Sequence, residues 1–158
     1  MAACFLGLDV GTSSTKVLLM DVSGKVLAAD APEYPFRTPR PLWAEADPED
    51  WWKATVAGIK SVLAKAGRKG SDVAGIGMSG QMHGLVMLDK AGKVLRPCIM
   101  WNDQRTSAEC AEITATIGRE KVLAITGNPV LPGFTAPKIV WVRKNEPEVF
   151  AQCAKILL

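Results

Sequence analysis

Two apolar runs, Cys4 to Val10 and Lys16 to Asp21, are separated by only five residues, Gly11-Thr12-Ser13-Ser14-Thr15. Both runs have the aliphatic and β-branched character of strands. A link this short allows an antiparallel return and no more, because a parallel partner needs a crossover of about a dozen residues. Ser23-Gly24 then marks a tight turn, and Val26 to Ala31 reads as a third strand. The chain therefore opens with a three-stranded antiparallel meander, unlike a Rossmann or P-loop domain.

Thr38-Pro39-Arg40-Pro41 is an extended loop, and Asp47-Pro48-Glu49-Asp50 supplies an N-cap, a proline at the first helical position and acids in the first turn. The spacing predicts a helix from Pro48. Trp51, Trp52, Val56, Ile59, Val62 and Leu63 form its apolar stripe, with both tryptophans as packing residues, and Gly67 to Gly70 ends it. Val73 to Ser79 reads as a buried strand that runs into the irregular turn Gly80-Gln81-Met82-His83-Gly84. Leu85 to Leu88 and Val94 to Met100 flank the hairpin signal Lys90-Ala91-Gly92-Lys93. Helices are expected over Thr106 to Ile117, Glu120 to Ile125, Thr135 to Asn145 and Pro147 to Cys153. The final Lys155-Ile156-Leu157-Leu158 looks like a strand just beginning, an ending expected of a truncated chain.

At 158 residues the chain has the size of one domain, 1–158, with enough apolar surface for an ordinary core. Its 19 basic and 16 acidic residues are interspersed and give a net charge of +3, a pattern that offers nucleic acid no footprint. Cys4, Cys98, Cys110 and Cys153 lie far apart and share a single histidine, so buried, reduced thiols are expected rather than a metal or disulfide framework. The start has no basic region ahead of an apolar stretch, and no run approaches the roughly 20 apolar residues of a membrane span. A cytoplasmic location without membrane partners is expected.

Two constellations carry chemistry. In Gly7-Leu8-Asp9-Val10-Gly11-Thr12-Ser13-Ser14-Thr15-Lys16, a carboxylate ends a strand, a glycine follows, and hydroxyls and a lysine come next. Gly11 lets backbone N–H groups approach phosphate oxygens, and Thr12, Ser13 and Ser14 donate hydrogen bonds to them. Lys16 adds positive charge, while Asp9 suits Mg²⁺, directly or through water. Taken alone, the segment is equally a polar hairpin loop. The second constellation is Gly77-Met78-Ser79-Gly80-Gln81-Met82-His83-Gly84, at a strand end where ligand groups are commonly presented. Gln81 and His83 each offer a donor and an acceptor, which suits a polyhydroxylated ligand. Trp101 reads either as an apolar wall for such a ligand or as core, and Arg105 as an exposed partner of Glu109 or as a charge in the site.

The Asp-x-Gly-Thr-Ser turn, followed by the meander and a helix, resembles the phosphate loop of actin, hexokinase and the FGGY carbohydrate kinases. Within the FGGY family, Gly80-Gln81-Met82-His83-Gly84 and Trp101-Asn102-Asp103-Gln104-Arg105 resemble the members that act on D-xylulose. So do Pro41 to Glu45, Asp47 to Trp52, Ile125 to Asn128 and Pro132 to Lys138, so the likeness covers nearly the whole chain. It implies an actin-like (ribonuclease H-like) α/β fold with a mixed sheet flanked by helices, and an N-terminal domain whose C-terminal lobe is absent. The implied reaction is phosphorylation of D-xylulose at its 5-hydroxyl by ATP with Mg²⁺.

By residue, Asp9 is implied at the Mg²⁺ and phosphate site, with Gly11, Thr12, Ser13, Ser14 and Lys16 in the phosphate loop. Gln81, Met82 and His83 are implied at the sugar, Met82 through its backbone, with Asp103 behind the site or on a sugar hydroxyl and Trp101 beside it. The general base, an aspartate in this family, is implied beyond Leu158, so the chain alone is expected to be inactive. A different FGGY substrate and a non-catalytic sugar- or nucleotide-binding module remain open, and a homodimer is compatible with the sequence.

Overall fold

The computed structural model describes residues 3–158. In chain order the elements are β1 (Cys4–Val10), β2 (Thr15–Asp21), β3 (Val26–Asp30), β4 (Glu45–Ala46), α1 (Pro48–Lys65), β5 (Val73–Gly80) and β6 (Val86–Leu88). They continue with β7 (Cys98–Ile99), α2 (Ser107–Ile117), α3 (Arg119–Thr126), α4 (Thr135–Asn145), α5 (Pro147–Gln152) and β8 (Lys155–Leu157). The chain divides into two compact units, one holding the residues up to Phe36 with Glu49–Gln81, the other Arg37–Pro48 with Met82–Leu158.

The first unit is built on a four-stranded sheet in the order β3-β2-β1-β5. The expected meander is present: β1 runs antiparallel to β2 with Cys4 opposite Asp21 and Val10 opposite Thr15, and β2 runs antiparallel to β3. Strand β5 lies parallel to β1, which makes the sheet mixed. Alternation decides the faces. Cys4, Leu6, Leu8, Val17 and Leu19 point to one side and bury against Val62, with Ile59 and Leu63 of α1 packed around them. Phe5, Gly7 and Asp9 belong to the other face.

Helix α1 begins at Pro48 with Glu49 and Asp50 in its first turn, as its sequence predicts. It ends in a Schellman motif, in which the Arg68 and Gly67 N–H groups donate to the Leu63 and Ala64 carbonyls and Gly67 takes φ 60°. The helix meets the sheet through small residues. At Gly58 an added Cβ would lie 2.5 Å from Val17 Cγ2, so glycine sets the approach. That close contact corrects one expectation: Ala54, Thr55, Gly58 and Val62 form the buried stripe, and Trp52 is 64% exposed.

A second correction concerns β5, which the apolar run suggested would be buried. Among the described residues it forms the edge of the sheet, paired with β1 alone, and Ile76 and Met78 are 58% and 73% exposed.

The second unit gathers two short antiparallel pairs, β4 with β7 and β6 with β8, and four helices. Leu85, Met87, Ile99, Trp141 and Val142 form its core, with the Trp43 ring edge-on to Trp141 at 5.3 Å. The expected turn at 90–93 is present, with Gly92 at φ 82° and Asp89 Oδ1 accepting from the Ala91 and Lys93 N–H groups. The hairpin is interrupted rather than continuous: Leu88 bridges Val94 and Leu95 N–H donates to the Met87 carbonyl, and beyond Arg96-Pro97 the pairing resumes where Leu85 and Ile99 exchange N–H···O bonds at 3.0 and 3.3 Å. Proline has no N–H for a ladder, which accounts for the gap, and on its other side β7 also pairs with β4.

Arg96 lies between Glu45 and Glu146, at 2.7 Å from each. Arg105 is buried too, against expectation. It pairs with Asp103 and Glu45 rather than Glu109, and its guanidinium lies 3.6 Å from the centre of the Trp43 ring. A planar cation can stack and form a fork at once, which makes it a suitable charge for this apolar setting. Glu109 is paired with Lys144.

All four cysteines are free, with Cys4, Cys98 and Cys110 buried and Cys153 half-buried. Burial pushes the Cys98 thiol up to about 11, so it stays protonated at neutral pH.

Candidate active site

In the first unit the turn between β1 and β2 is tight, with Gly11 N–H donating to the Ser14 carbonyl at 3.0 Å. A Cβ on Gly11 would sit 3.1 Å from that same carbonyl oxygen, so a larger residue would press the turn open. Ser13 at the tip is exposed, and Thr12 and Ser14 are half-buried.

A second segment, 32–34, ties the turn down. Thr15 N–H donates to the Pro32 carbonyl, Tyr34 N–H to the Ser13 carbonyl at 2.9 Å, and the Tyr34 hydroxyl to the Gly11 carbonyl at 2.7 Å. Burial pushes the Tyr34 phenol above its ordinary range, the Thr15 hydroxyl opposes, and the Asp9 charge adds to the rise. Tyr34 therefore remains a donor. Nothing in the sequence around Tyr34 suggested this role, since its partner is 23 residues earlier.

Asp9 occupies the end of β1, opposite Lys16 on β2 and Ser79 on β5. Its carboxylate is half-buried and takes part in no ion pair or hydrogen bond among the described residues. An open depression of about 850 Å³ spreads over this part of the sheet, lined among others by Gly7, Asp9, Lys16, Gly77 and Ser79. Gly7 and Gly77 add no side chains to its floor. No cluster of three or more His, Cys, Asp or Glu that could cage a metal exists among the described residues. A single carboxylate does not cage a metal, but a divalent ion is commonly held by one or two carboxylates together with a nucleotide's phosphates, and Asp9 has a carboxylate available for such a role. Gln81, the last residue of this unit, donates its backbone N–H to the Val10 carbonyl at 2.8 Å. Its side-chain amide is buried with neither Oε1 nor Nε2 partnered, which leaves an NH₂ group and an acceptor oxygen to be satisfied by something else.

In the second unit Met82 is exposed and His83 adopts φ 63°, a left-handed conformation rare outside glycine. The His83 ring lies 4.6 Å from that of Phe134 at an angle of 40°. Gly84 follows because a Cβ there would be 3.0 Å from the Cys98 sulfur. Trp101 is 44% exposed, so it is not a core residue. Asp103 has no exposed surface: its carboxylate accepts from the Ala44 N–H at 2.6 Å, the Arg105 N–H at 2.9 Å and the Arg105 guanidinium.

One residue of the Pro132 to Lys138 motif has a role that the sequence does not indicate. Lys138 of α4 is fully buried, and its ammonium donates to the carbonyls of His83 at 2.6 Å and Gly133 at 2.8 Å. Burial pushes it down to about 8, with Arg105 adding and Cys98 and Asp103 opposing.

The model of the FGGY family of carbohydrate kinases, N-terminal domain, matches residues 4–158. The chain belongs to this family. FGGY kinases have the actin-like ATPase fold, and the mixed sheet that opens with a meander is its signature in this chain. The chain is similar to a xylulose kinase of Escherichia coli (strain K12), with 45% identity over 98% of the chain and 31% of that protein. Among solved structures, the xylulose kinase from Rhodospirillum rubrum superposes with a TM-score of 0.91 at 35% identity, over 97% of this chain and 31% of that one. The gluconate kinase from Lactobacillus acidophilus also gives 0.91, at 29% identity, over 99% and 31%. This FGGY chain thus spans about a third of the length of the relatives it matches. No helix among its described residues is long and apolar enough to cross a membrane.

Proposed function

We propose that the protein to which this chain belongs transfers the terminal phosphoryl group of ATP to the 5-hydroxyl of D-xylulose. The observation that carries the phosphoryl-transfer half is the Gly11–Ser14 turn, tied down by Tyr34 beside an unpaired Asp9. Catalysis of this transfer is mostly positioning and charge neutralisation, and the turn offers both. In this reading Gly11, Thr12, Ser13, Ser14 and Lys16 hold the phosphates and Asp9 holds Mg²⁺, which when bound offsets the charge that develops on the transferred group.

The sugar half rests on the relatives. Two of them, at 45% and 35% identity, are named xylulose kinases. Gln81, Met82 and His83 are assigned to the sugar, with Trp101 at its side. Asp103 has its carboxylate fully occupied, so we assign it to the support of this region rather than to a sugar hydroxyl. The proton acceptor for the attacking hydroxyl is expected in the two thirds of the relatives' length outside the matched segment.

A second reading is favoured by the gluconate kinase, whose backbone agrees equally well at a TM-score of 0.91: the backbone alone does not select the acceptor. The test is a coupled ADP-release assay on the full-length protein with D-xylulose, glycerol and gluconate. Preference for D-xylulose is expected, and preference for either other acceptor overturns the assignment.

A further inference from the structure

Lysine almost never lies fully buried unless something satisfies its charge. Lys138 has 0% exposure and joins no carboxylate ion pair among the described residues. What it has are two carbonyl oxygens, those of His83 and Gly133. The charged groups that face it are Asp103 and Arg105 from the segment ahead of α2 and the Cys98 thiol of β7. Asp103 and Arg105 are committed to each other. Filling this position with a hydrocarbon would be cheaper for stability alone, so the cation's value lies in what it joins.

What it joins is unusual on both sides. His83 is held at φ 63°, and a non-glycine residue stays in that region only where its surroundings over-determine it. Gly133 is pressed so close to Trp101 that an added Cβ would lie 2.5 Å from the Trp101 carbonyl oxygen. Between the two lies Phe134, whose ring meets the His83 imidazole at 4.6 Å.

We infer that Lys138 is a positioning residue for His83: its ammonium clamps the turn at residues 82–84 to the turn at 131–134 and fixes the imidazole against Phe134. The clamp is a statement about this chain's own geometry. Only its consequence, an oriented imidazole for a sugar hydroxyl, rests on the ketose kinase reading.

The chain has a single histidine, so His83 gives one imidazole cross-peak and one histidine carbonyl resonance in an NMR spectrum. Lys138→Met keeps the stem and removes the donor. In a folded Lys138→Met chain the His83 Hε1 resonance is expected to lose its Phe134 ring-current displacement and move to the free imidazole position. An unmoved resonance in a folded variant overturns the clamp. The unmutated chain supplies a second measurement in case the variant does not fold. With ¹⁵N-lysine and ¹³C-carbonyl histidine, a scalar coupling across the hydrogen bond between Lys138 Nζ and the His83 carbonyl is expected at pH 6, and its absence overturns the clamp too.

In the full-length enzyme Lys138→Met is expected to raise KM for D-xylulose at least tenfold while KM for ATP stays within twofold. Equal rises in both would assign Lys138 to general packing and overturn the positioning role. If D-xylulose is not phosphorylated at all, the functional reading fails, and the two spectroscopic measurements still decide the clamp.

Discussion

Lys138 releases its proton near pH 8 in the folded chain but only near its ordinary 10.5 when unfolded, so it links stability to pH with a definite sign. Below pH 8 both states hold the proton and the group contributes no slope. From pH 8 upwards the unfolded state binds more protons than the folded state, so stability rises with pH until about 10.5. Cys98 acts in the opposite direction between 9 and about 11, where the unfolded thiol has ionised and the folded one has not. The clean window is therefore pH 8 to 9. Urea denaturation across that window is expected to show the stability of wild type rising relative to Lys138→Met, with a constant difference below pH 7.5 taken as the baseline. A difference that stays flat from pH 7 to 9 would mean that the buried ammonium is not depressed. Asp9 makes a kinetic prediction of its own. In the full-length enzyme Asp9→Asn is expected to lower kcat at least about 10²-fold, the cost typical of losing a preorganised charge in a transfer site, with KM for the sugar little changed. Steady-state kinetics at saturating ATP checks it.

Gly58 carries the prediction for an element. Because α1 rests on Val17 at that point, Gly58→Ala gains helix propensity but forces a methyl to 2.5 Å from a neighbouring carbon. Overpacking of this kind costs about 1–3 kcal/mol, more than the ~1 kcal/mol that alanine gains in a helix. A net loss in urea denaturation is expected, and a net gain would show that the helix can lift off the sheet. The element boundaries were largely legible in the sequence. β1 occupies Cys4–Val10 and α4 occupies Thr135–Asn145 as the residues predict, because turn and cap chemistry acts within a few positions. What an element faces was less legible. Val73 to Ser79 reads as buried, yet β5 is an edge, and Trp52 reads as packing, yet α1 turns its small residues to the sheet. Period tells which residues share a face, not what covers it. Sheet order should also show in hydrogen exchange. Amides of β1, paired on both sides, are expected to outlast those of β5 by at least an order of magnitude. Equal protection would contradict the edge position.

For the molecule as a whole, the sequence motifs marked both constellations, Asp9 with Gly11–Lys16 and Gln81–His83, because glycine, hydroxyl and carboxylate patterns are local. The residues that hold them in place were not legible. Tyr34 reaches Gly11 from 23 positions away and Lys138 reaches His83 from 55, and neither distance leaves a mark in the chain order. Arg105 differs in part for the same reason: helical spacing points it to Glu109, whereas the structure pairs it with Asp103 two positions away and with Glu45 from a distant part of the chain. Because the relatives are about three times as long, the 158-residue chain by itself is expected to show no D-xylulose-dependent ADP release. Turnover near ordinary enzyme values from this chain would mean that it carries its own proton acceptor.

The Tyr34 hydroxyl on the Gly11 carbonyl has one more consequence. A loose turn must surrender its backbone freedom when a ligand arrives, and that loss subtracts from affinity. Here the turn is already ordered by bonds made during folding, so under the proposed phosphate reading a ligand would meet a turn whose ordering entropy has been met by the core around Tyr34.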